Sequence, residues 1–259
     1  LEMDTDPLPP ASALYAGLHI QNAERVVIWG LEIKPKNDIG GTAILVDHSR
    51  RAVIGRNVIR EHQFSVMLEH GDRAEIWGNQ ILATTAWQAN FFEVHGIVVS
   101  NGDHVRIVNN DVSNAFFGVW ACDHDGVLMG NNFHENYVGL ILCKVPEGAF
   151  PLAGGGAIGS EFSATNWLAQ GNNATANFDA GYLVIDGANN NLLKNNAAAS
   201  NGTYDIELVG DSYRFGFLTP FSFKNKVVAG NDQMIIKDCG TDNTVIGGQL
   251  VDNGQDACY

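Results

Sequence analysis

The chain has 259 residues, of which 15 are basic and 29 acidic, so its formal net charge is −14. A chain of this length can bury a large core, and a single all-β domain of this size is ordinary. A nucleic-acid partner is not expected, because such a partner requires a positive surface that displaces counterions. An anionic membrane surface is not expected for the same reason. No run of about 18 apolar residues predicts a membrane span.

Two kinds of short apolar segment alternate along the chain after residues 1–15, which are rich in proline and acidic residues and are expected to form an irregular lead-in. Segments of the first kind, which we call first strands, mostly begin with glycine and are found at 17–20, 42–46, 65–68, 96–99, 118–121, 139–142, 181–184, 204–208 and 233–237. Gly96, Gly118 and Gly139 are 22 and 21 residues apart. A repeat of this length built from short strands predicts a solenoid.

The second kind of segment follows the pattern apolar-x-apolar-x-x-Asn-x-apolar, as in VRIVNNDV from Val105. Stacked coils lie about 4.8 Å apart, so asparagines at one coil position can bond to each other through their amides. The pattern predicts such a ladder from Asn57, Asn79, Asn110, Asn131, Asn172 and Asn195. The alternative is that asparagine is simply common in turns.

Alternation within the first strands predicts which side chains face the core. Ile97 and Val99 should point inward with Val119, Ala121, Leu140, Leu142, Tyr182 and Val184, whereas Val98, Trp120, Ile141 and Leu183 should point outward. An apolar outward row needs a cover, and three insertions, at 82–95, 145–165 and 210–224, are the predicted cover. The aromatic side chains of the last insertion could either pack on this row or stack on a sugar.

These glycine-initiated strands and in-register asparagines resemble the right-handed parallel β-helix superfamily, that is, the PbH1-repeat, pectate-lyase-like architecture. Within it the chain is most similar to bacterial NosD-like, right-handed β-helix-repeat proteins of unassigned activity. The resemblance covers residues 16–250 and implies one domain of about nine coils of about 22 residues, followed by a tail at 251–259. The same scaffold carries lyases, hydrolases, C5-epimerases and non-catalytic surface proteins, so the resemblance predicts the fold rather than the activity.

Most catalytic motifs of these enzymes are absent, since the NTD, DD, GHG and RIK blocks of the polygalacturonase-like glycosidases do not occur. Asp123-His124-Asp125 is similar to the Asp-Pro-His-Asp/Glu block of mannuronan C5-epimerases but lacks the proline. Val46-Asp47-His48 is similar to an Ile-Asp-His stretch of pectate lyases.

Polar residues collect directly after the first strands, and we call this set the turn column: His48, His70, Asn101, Asp123, Lys144 and Asp186. One position earlier are Asp47, Glu69, Ser100, Cys122, Cys143 and Ile185. Stacking should place neighbours in each set about 5 Å apart. Asp47 and Glu69 could then hold Ca²⁺ or share a proton, or form an ordinary solvated acidic face.

The candidate catalytic group consists of Asp123, His124, Asp125 and Lys144, with Arg214 from the last insertion. Lys144 or His124 could remove a proton next to a carboxylate that Arg214 neutralises; alternatively, Lys144 and Asp123 form a plain surface ion pair. Candidates for sugar contact are Trp120, Tyr213, His70 and His48. No histidine pair has HxH or HExxH spacing, so a zinc site is not expected.

The four cysteines predict two disulfides. Cys122 and Cys143 have the same offset from Gly118 and Gly139, and the coil spacing lies within the Cα separation of a disulfide. Cys239 and Cys258 would then pair and tie the tail to the last coil. Disulfides would indicate an exported protein, secreted or periplasmic. The alternative is two inert thiols beside a loose tail.

The sequence thus predicts an exported β-helix protein that acts on an extended polysaccharide, as a lyase or a C5-epimerase. The alternative is a non-catalytic exported module that binds glycan or acts as a spacer, and a third option is a glycoside hydrolase. The sequence demands no cofactor, and Ca²⁺ is the one ion it brings into consideration.

Overall fold

The computed structural model describes residues 2–3, 16–36, 40–84, 94–144, 150–151, 157–158, 162–210, 212–214 and 217–251. These residues form β-strands and turns, and they contain no helix able to cross a membrane. The first strands line up side by side as one parallel sheet, the first sheet. Its members, in spatial order, are β2 (Ala16–Gln21), β5 (Gly40–Asp47), β8 (His62–Glu69), β11 (His95–Asn101), β14 (Phe117–Ala121), β17 (Val138–Leu142), β22 (Tyr182–Val184), β24 (Ile206–Leu208), β28 (Ile235–Asp238) and β30 (Gln249–Val251).

The remaining parallel strands form two further rows along the same axis. The second row is β3 (Val27–Trp29), β6 (Val53–Gly55), β9 (Glu75–Trp77), β12 (Arg106–Val108), β15 (Val127–Met129), β20 (Leu168–Gln170), β23 (Leu192–Ala199), β27 (Lys226–Ala229) and β29 (Thr244–Ile246). The third row is β1 (Glu2–Met3), β4 (Glu32–Pro35), β7 (Val58–Arg60), β10 (Gln80–Leu82), β13 (Asp111–Ser113), β16 (Asn132–His134) and β21 (Asn173–Thr175), and it ends on the long strand β23.

Up to β23 the chain passes through the three rows in turn in each coil, and the strands of each row pair in parallel with their counterparts one coil away. This confirms the all-β, right-handed parallel β-helix. Two small antiparallel hairpins lie within the insertions, β18 (Phe150–Pro151) with β19 (Ala157–Ile158) and β25 (Ser212–Arg214) with β26 (Phe217–Thr219). The lead-in is not irregular throughout, because β1 extends the third row by pairing with β4.

The repeated glycine has a steric cause. A Cβ on Gly118 would lie 2.5 Å from the carbonyl oxygen of Gly139 in the next coil, and a Cβ on Gly96 would lie 2.3 Å from that of Gly118. Real Cβ atoms do not approach an oxygen this closely, so adjacent coils can stack at this corner only where the side chain is absent.

Replacing Gly118 with Ala is therefore expected to lower the free energy of unfolding by about 3 kcal/mol, since backbone rather than a flexible side chain must move. Gly171→Ala is the matched control. That site has a φ of 62° but no atom within 4 Å of the added Cβ, so only the conformational cost of about 1 kcal/mol should appear. Urea unfolding followed by tryptophan fluorescence measures both variants, and equal losses would contradict the steric account.

The asparagine ladder is present. The Nδ2 atoms of Asn57, Asn79, Asn110 and Asn131 each donate to the Oδ1 of the next asparagine at 2.8–3.0 Å. The prediction of Asn195 is wrong, because Asn172 donates to Asn196 instead. Asn195 has a φ of 52° and occupies the left-handed position that Gly171 fills one coil earlier. Two further ladders were not predicted, Asn136–Asn177–Asn201 and Asn191–Asn225–Asn243.

The core lies inside the three rows, and the predicted inward set Ile97, Val99, Val119, Ala121, Leu140, Leu142, Tyr182 and Val184 belongs to it. The predicted outward row is also buried, in a second cluster that includes Val98, Trp120, Ile141 and Leu183. A cover over this row is thus confirmed. Most of 82–95 and 145–165, and the side chains at 211–219, lie outside the described residues, so the role of the three insertions, including 210–224, as that cover stays a prediction.

Candidate functional site

The turn column occupies the corner at which the chain leaves the first sheet. His48, His70, Asp123 and Asp186 share a left-handed backbone there, with φ of 44°, 50°, 68° and 57°. Aspartate and histidine are among the few residues that adopt this conformation readily. The in-register pairs Asp47–Glu69 and Leu142–Val184 stack these corners along the axis. The structure therefore brings His48, His70, Asp123 and Asp186 into one row. The predicted place of Asn101 beside His70 is wrong, because Asn101 pairs with Glu69.

Asp47 is a buried carboxylate whose two oxygens are both engaged. Oδ1 lies 2.6 Å from Nδ1 of His48, and Oδ2 accepts a hydrogen bond from Nε2 of Gln21 at 2.8 Å. Burial raises the pKa of Asp47, but the bonds from His48 and Gln21 outweigh it and the pKa lies below its usual value. These contacts occupy the oxygens that the predicted Ca²⁺ would need.

Glu69 lies one coil further along, and its pKa is shifted in the opposite direction, above its usual value. Burial raises its pKa, although a hydrogen bond of 3.0 Å from Nδ2 of Asn101 to Oε1 opposes the shift. Its Oε2 is buried and accepts no hydrogen bond from the described residues. The imidazole of His48 lies beside the carboxylate of Asp47, and that of His70 beside the carboxylate of Glu69. The centroids of the two rings are 4.4 Å apart, and both imidazoles are about half exposed. The two predicted sugar-contact histidines are therefore accessible.

A β-bulge shapes the middle of the column. The pairing of β8 with β11 shifts between Val99 and Asn101. Between paired positions, the path from Val99 to Arg106 is one residue longer than the path from Ala121 to Val127 in the next coil. The path from Leu68 to Glu75 in the preceding coil is as long as that from Val99 to Arg106, so the one-residue difference lies in the shorter corner after Ala121.

Three ionisable groups meet beside the bulge. One ligand atom each of Asp103, Asp123 and His124 lies within 4.8 Å of the others. Oδ1 of Asp123 is 3.1 Å from Nε2 of His124. Burial raises the pKa of Asp123 to about 6, helped by Asp103 and opposed by His124. Asp103 was not among the predicted site residues.

Two other members of the predicted catalytic group lie apart from this trio. Asp125 is exposed and accepts a hydrogen bond from Asn166 at 3.1 Å. Lys144 is exposed and acts electrostatically on Asp186 rather than on Asp123. The alternative of a Lys144–Asp123 ion pair is therefore wrong in the described structure.

Lys144 and Asp186 form a second group of ionisable neighbours in the column. Burial raises the pKa of Asp186 to about 6, although the backbone N–H and the charge of Lys144 oppose the shift. A carboxyl group with this pKa is partly protonated in weakly acidic solution and can donate a proton. Asp186 was predicted as a member of the column but not as a catalytic residue.

The raised pKa of Asp186 predicts a pH-dependent stability. The stability that comes from its protonated form is complete below the ordinary pKa near 3.8 and is lost as the pH rises through about 6. Asp186→Asn should thus gain about 2 kcal/mol over the parent above pH 6 and little below pH 4. Asp125→Asn, an exposed aspartate, should stay within about 0.5 kcal/mol. Thermal melts across this range that show the same offset at every pH would contradict the expectation.

Several predicted residues do not join the site. Trp120 is only 8 % exposed and packs edge-on against His95 and Phe117, so its assignment to sugar binding is wrong. It belongs to the apolar outward row, which a cover removes from solvent. The side chains of Tyr213 and Arg214 lie outside the described residues, and their roles stay predictions.

The predicted Cys122–Cys143 disulfide is wrong. The two thiols are stacked neighbours, but they are free and buried, with Sγ atoms 3.9 Å apart instead of about 2.05 Å. In-register stacking keeps their Cβ atoms at about the coil spacing of 4.8 Å, which exceeds the 3.5–4.5 Å of a disulfide. Burial raises the pKa of the Cys143 thiol well above its usual value. Cys258 lies outside the described residues, so the Cys239–Cys258 pairing stays a prediction.

The comparisons with known proteins agree with this architecture. The family model described as "Right handed beta helix region" matches residues 12–144. No curated protein sequence matches the chain. Among solved structures, an alginate lyase from Paenibacillus sp. str. FPU-7 is similar at 12 % identity and a TM-score of 0.36, over 93 % of this chain and 88 % of that one. The Dettilon tailspike protein is similar at 11 % identity and a TM-score of 0.27, over 90 % and 60 %. Similarities this low do not bear on activity.

Proposed function

The chain belongs to the right-handed β-helix family, and on this scaffold we propose that it acts on an extended polysaccharide, as a uronate lyase or C5-epimerase. The turn column is the observation that supports this. From His48 to Asp186 it offers polar and ionisable side chains at successive coils, with a step of about 4.8 Å. A polymer laid along the axis would meet these groups one after another, which suits a repeating substrate better than a small molecule.

The proposed reaction begins with removal of the proton at C5 of a uronate ring. Lys144 is the base, and the carbanion is stabilised by the adjacent carboxylate once a cationic group neutralises it. In a lyase the C4–O4 bond then breaks, C4 and C5 form a double bond, and the departing oxygen takes a proton from Asp186. In an epimerase a second proton, from Asp186, adds to C5 on the opposite face, Lys144 keeps the proton that it removed, and no bond to O4 breaks. Arg214 is the proposed partner of the carboxylate.

A second candidate, a retaining glycoside hydrolase, is favoured by the pair Asp47 and Glu69. Their positions are paired across adjacent coils, about 5 Å apart, which is the carboxylate separation of retaining enzymes. Their pKa values are moved in opposite directions, below the usual value for Asp47 and above it for Glu69. Such divergence suits an ionised nucleophile beside a protonated acid. The net charge of −14 also favours a neutral glycan.

One screen separates these activities. The protein is incubated with uronate-containing and neutral polysaccharides, while the ultraviolet absorbance of unsaturated uronates and the release of reducing ends are followed together. A lyase produces both signals, a hydrolase only reducing ends, and an epimerase neither, although the ratio of the two uronates changes. Binding of a glycan without any of these changes would overturn the enzymatic proposal in favour of a binding or spacer module.

Export to the periplasm or the medium forms part of the proposal, since extended polysaccharides are found there. Of the two predicted disulfides, Cys239–Cys258 is the one that still supports export, because Cys122 and Cys143 are free.

A further inference from the structure

The meeting point of Asp103, Asp123 and His124 has the geometry of an ion site. Ligands of one divalent cation are separated by at most twice the metal–ligand distance, or roughly 4.2–4.8 Å for bonds of about 2.1–2.4 Å. One oxygen of each carboxylate and one ring nitrogen of His124 fall within 4.8 Å of one another. The three groups could thus surround a single ion without a large movement.

The state of Asp123 is a second, independent observation. The residue is only 7 % exposed, and its Oδ1 accepts no hydrogen bond from the described residues. Nε2 of His124 lies 3.1 Å from this oxygen, yet the two atoms are not aligned for a hydrogen bond. A separation near 3 Å without a shared proton is close to the edge of roughly 3.0 Å between adjacent ligands of an octahedral ion with bonds of about 2.1 Å. A buried carboxylate oxygen left unpaired is otherwise costly.

The surroundings would hold the ligands and admit an ion. Asp103 and His124 are half-buried, so the trio is open to solvent on one side. The imidazole of His124 packs on the ring of Phe162, with centroids 4.8 Å apart, which restrains its orientation. Asp103 and His124 each lie three residues before the paired positions Arg106 and Val127, which places them at the same level of adjacent coils.

We propose that Asp103, Asp123 and His124 form a divalent cation site, selective for a first-row transition ion such as Zn²⁺ or Mn²⁺ over Ca²⁺. Two carboxylates and one imidazole make a mixed oxygen and nitrogen set, and imidazole suits transition ions, whereas Ca²⁺ takes six to eight oxygens. Three protein ligands leave further positions for water or for an oxygen of a bound molecule. This inference does not depend on the proposed polysaccharide activity.

The test is direct metal binding to the full chain without any glycan. After chelator treatment and desalting, the protein is titrated with Zn²⁺, Mn²⁺ and Ca²⁺ by calorimetry, and the bound metal is counted by elemental mass spectrometry. One Zn²⁺ or Mn²⁺ per chain is expected, bound at least about tenfold more tightly than Ca²⁺. Asp103→Asn and His124→Gln should each weaken binding by at least about tenfold.

The chain offers a matched control in Asp111 and His134. Their Oδ1 and Nε2 atoms lie 3.2 Å apart, nearly the same separation as in Asp123 and His124, but this pair lies outside the three-ligand cluster. Asp111→Asn should therefore leave affinity unchanged. Absence of Zn²⁺ and Mn²⁺ binding by the parent, or equal affinities of Asp103→Asn, Asp111→Asn and the parent, would overturn the site. Asp103 is half-buried, and a thermal melt equal to the parent's shows that the variant is folded.

Discussion

Replacement of Lys144 with Ala is expected to lower kcat on an active uronate glycan by about 10²–10⁴-fold, the usual contribution of a positioned general base. Lys144 is exposed at the turn column, beside the buried carboxyl group of Asp186. It therefore faces a substrate laid along the axis, while its neighbour can supply the proton that a leaving oxygen needs. The variant removes no buried contact, so its fold should remain intact.

The measurement is steady-state turnover, with Lys194→Ala as the control. Lys194 is also an exposed lysine, but it lies on β23 of the second row, away from the column. It should retain parental turnover, whereas Asp186→Asn should lose activity while gaining stability above pH 6. Unchanged turnover of Lys144→Ala would refute the role of Lys144 as base.

Replacement of Asn131 with Ala is expected to lower the free energy of unfolding by about 3 kcal/mol. The buried Asn131 amide donates to the carbonyl of Ile107 and to Oδ1 of Asn172, both at 2.8 Å. Its oxygen accepts from the backbone N–H and the Nδ2 of Asn110, at 2.9 and 3.0 Å. Alanine would leave these buried partners unsatisfied, and each such group costs about 1–3 kcal/mol.

Asn132→Ala is the control for this prediction. The neighbouring Asn132 is half-buried on the outer side of β16, where it bonds to Asp111 and Asn173 through side chains that water can reach. Its loss should cost less than about 1 kcal/mol. The midpoint of urea unfolding measures both variants. Equal midpoints would show that the ladder does not stabilise the solenoid.

Most of the fold was predictable from the sequence, because a solenoid repeats one local solution many times. Glycine recurs at Gly118 and Gly139 because a Cβ at either position would clash with the backbone of the next coil. The sequence therefore shows this steric requirement as a glycine at a regular spacing. The ladder was predictable for the same reason. The prediction of Asn195 failed because Asn195 and Asn196 both fit the asparagine position of the repeat pattern. The backbone conformation distinguishes them, since Asn195 is left-handed and Asn196 joins the ladder.

The site was less predictable, because it depends on one-residue differences between coils. The corner from Ala121 to Val127 is one residue shorter than the corner from Val99 to Arg106. A period of about 22 residues hides this difference, yet it places Asp103 opposite His124. Side-chain direction was equally hidden: a coil spacing compatible with a disulfide holds Cys122 and Cys143 too far apart to bond. Burial, which shifts the pKa values of Glu69, Asp123 and Asp186, depends on tertiary packing rather than on local sequence.

The central claim is that the turn column removes the proton at C5 of a uronate within an extended glycan. Nuclear magnetic resonance of a polyuronate incubated with the protein in deuterated water tests it directly, since lyase and epimerase chemistry both begin with this step. The account predicts either deuterium at C5 or unsaturated ends, with both lost in Lys144→Ala. A bound polyuronate that shows neither change would contradict it.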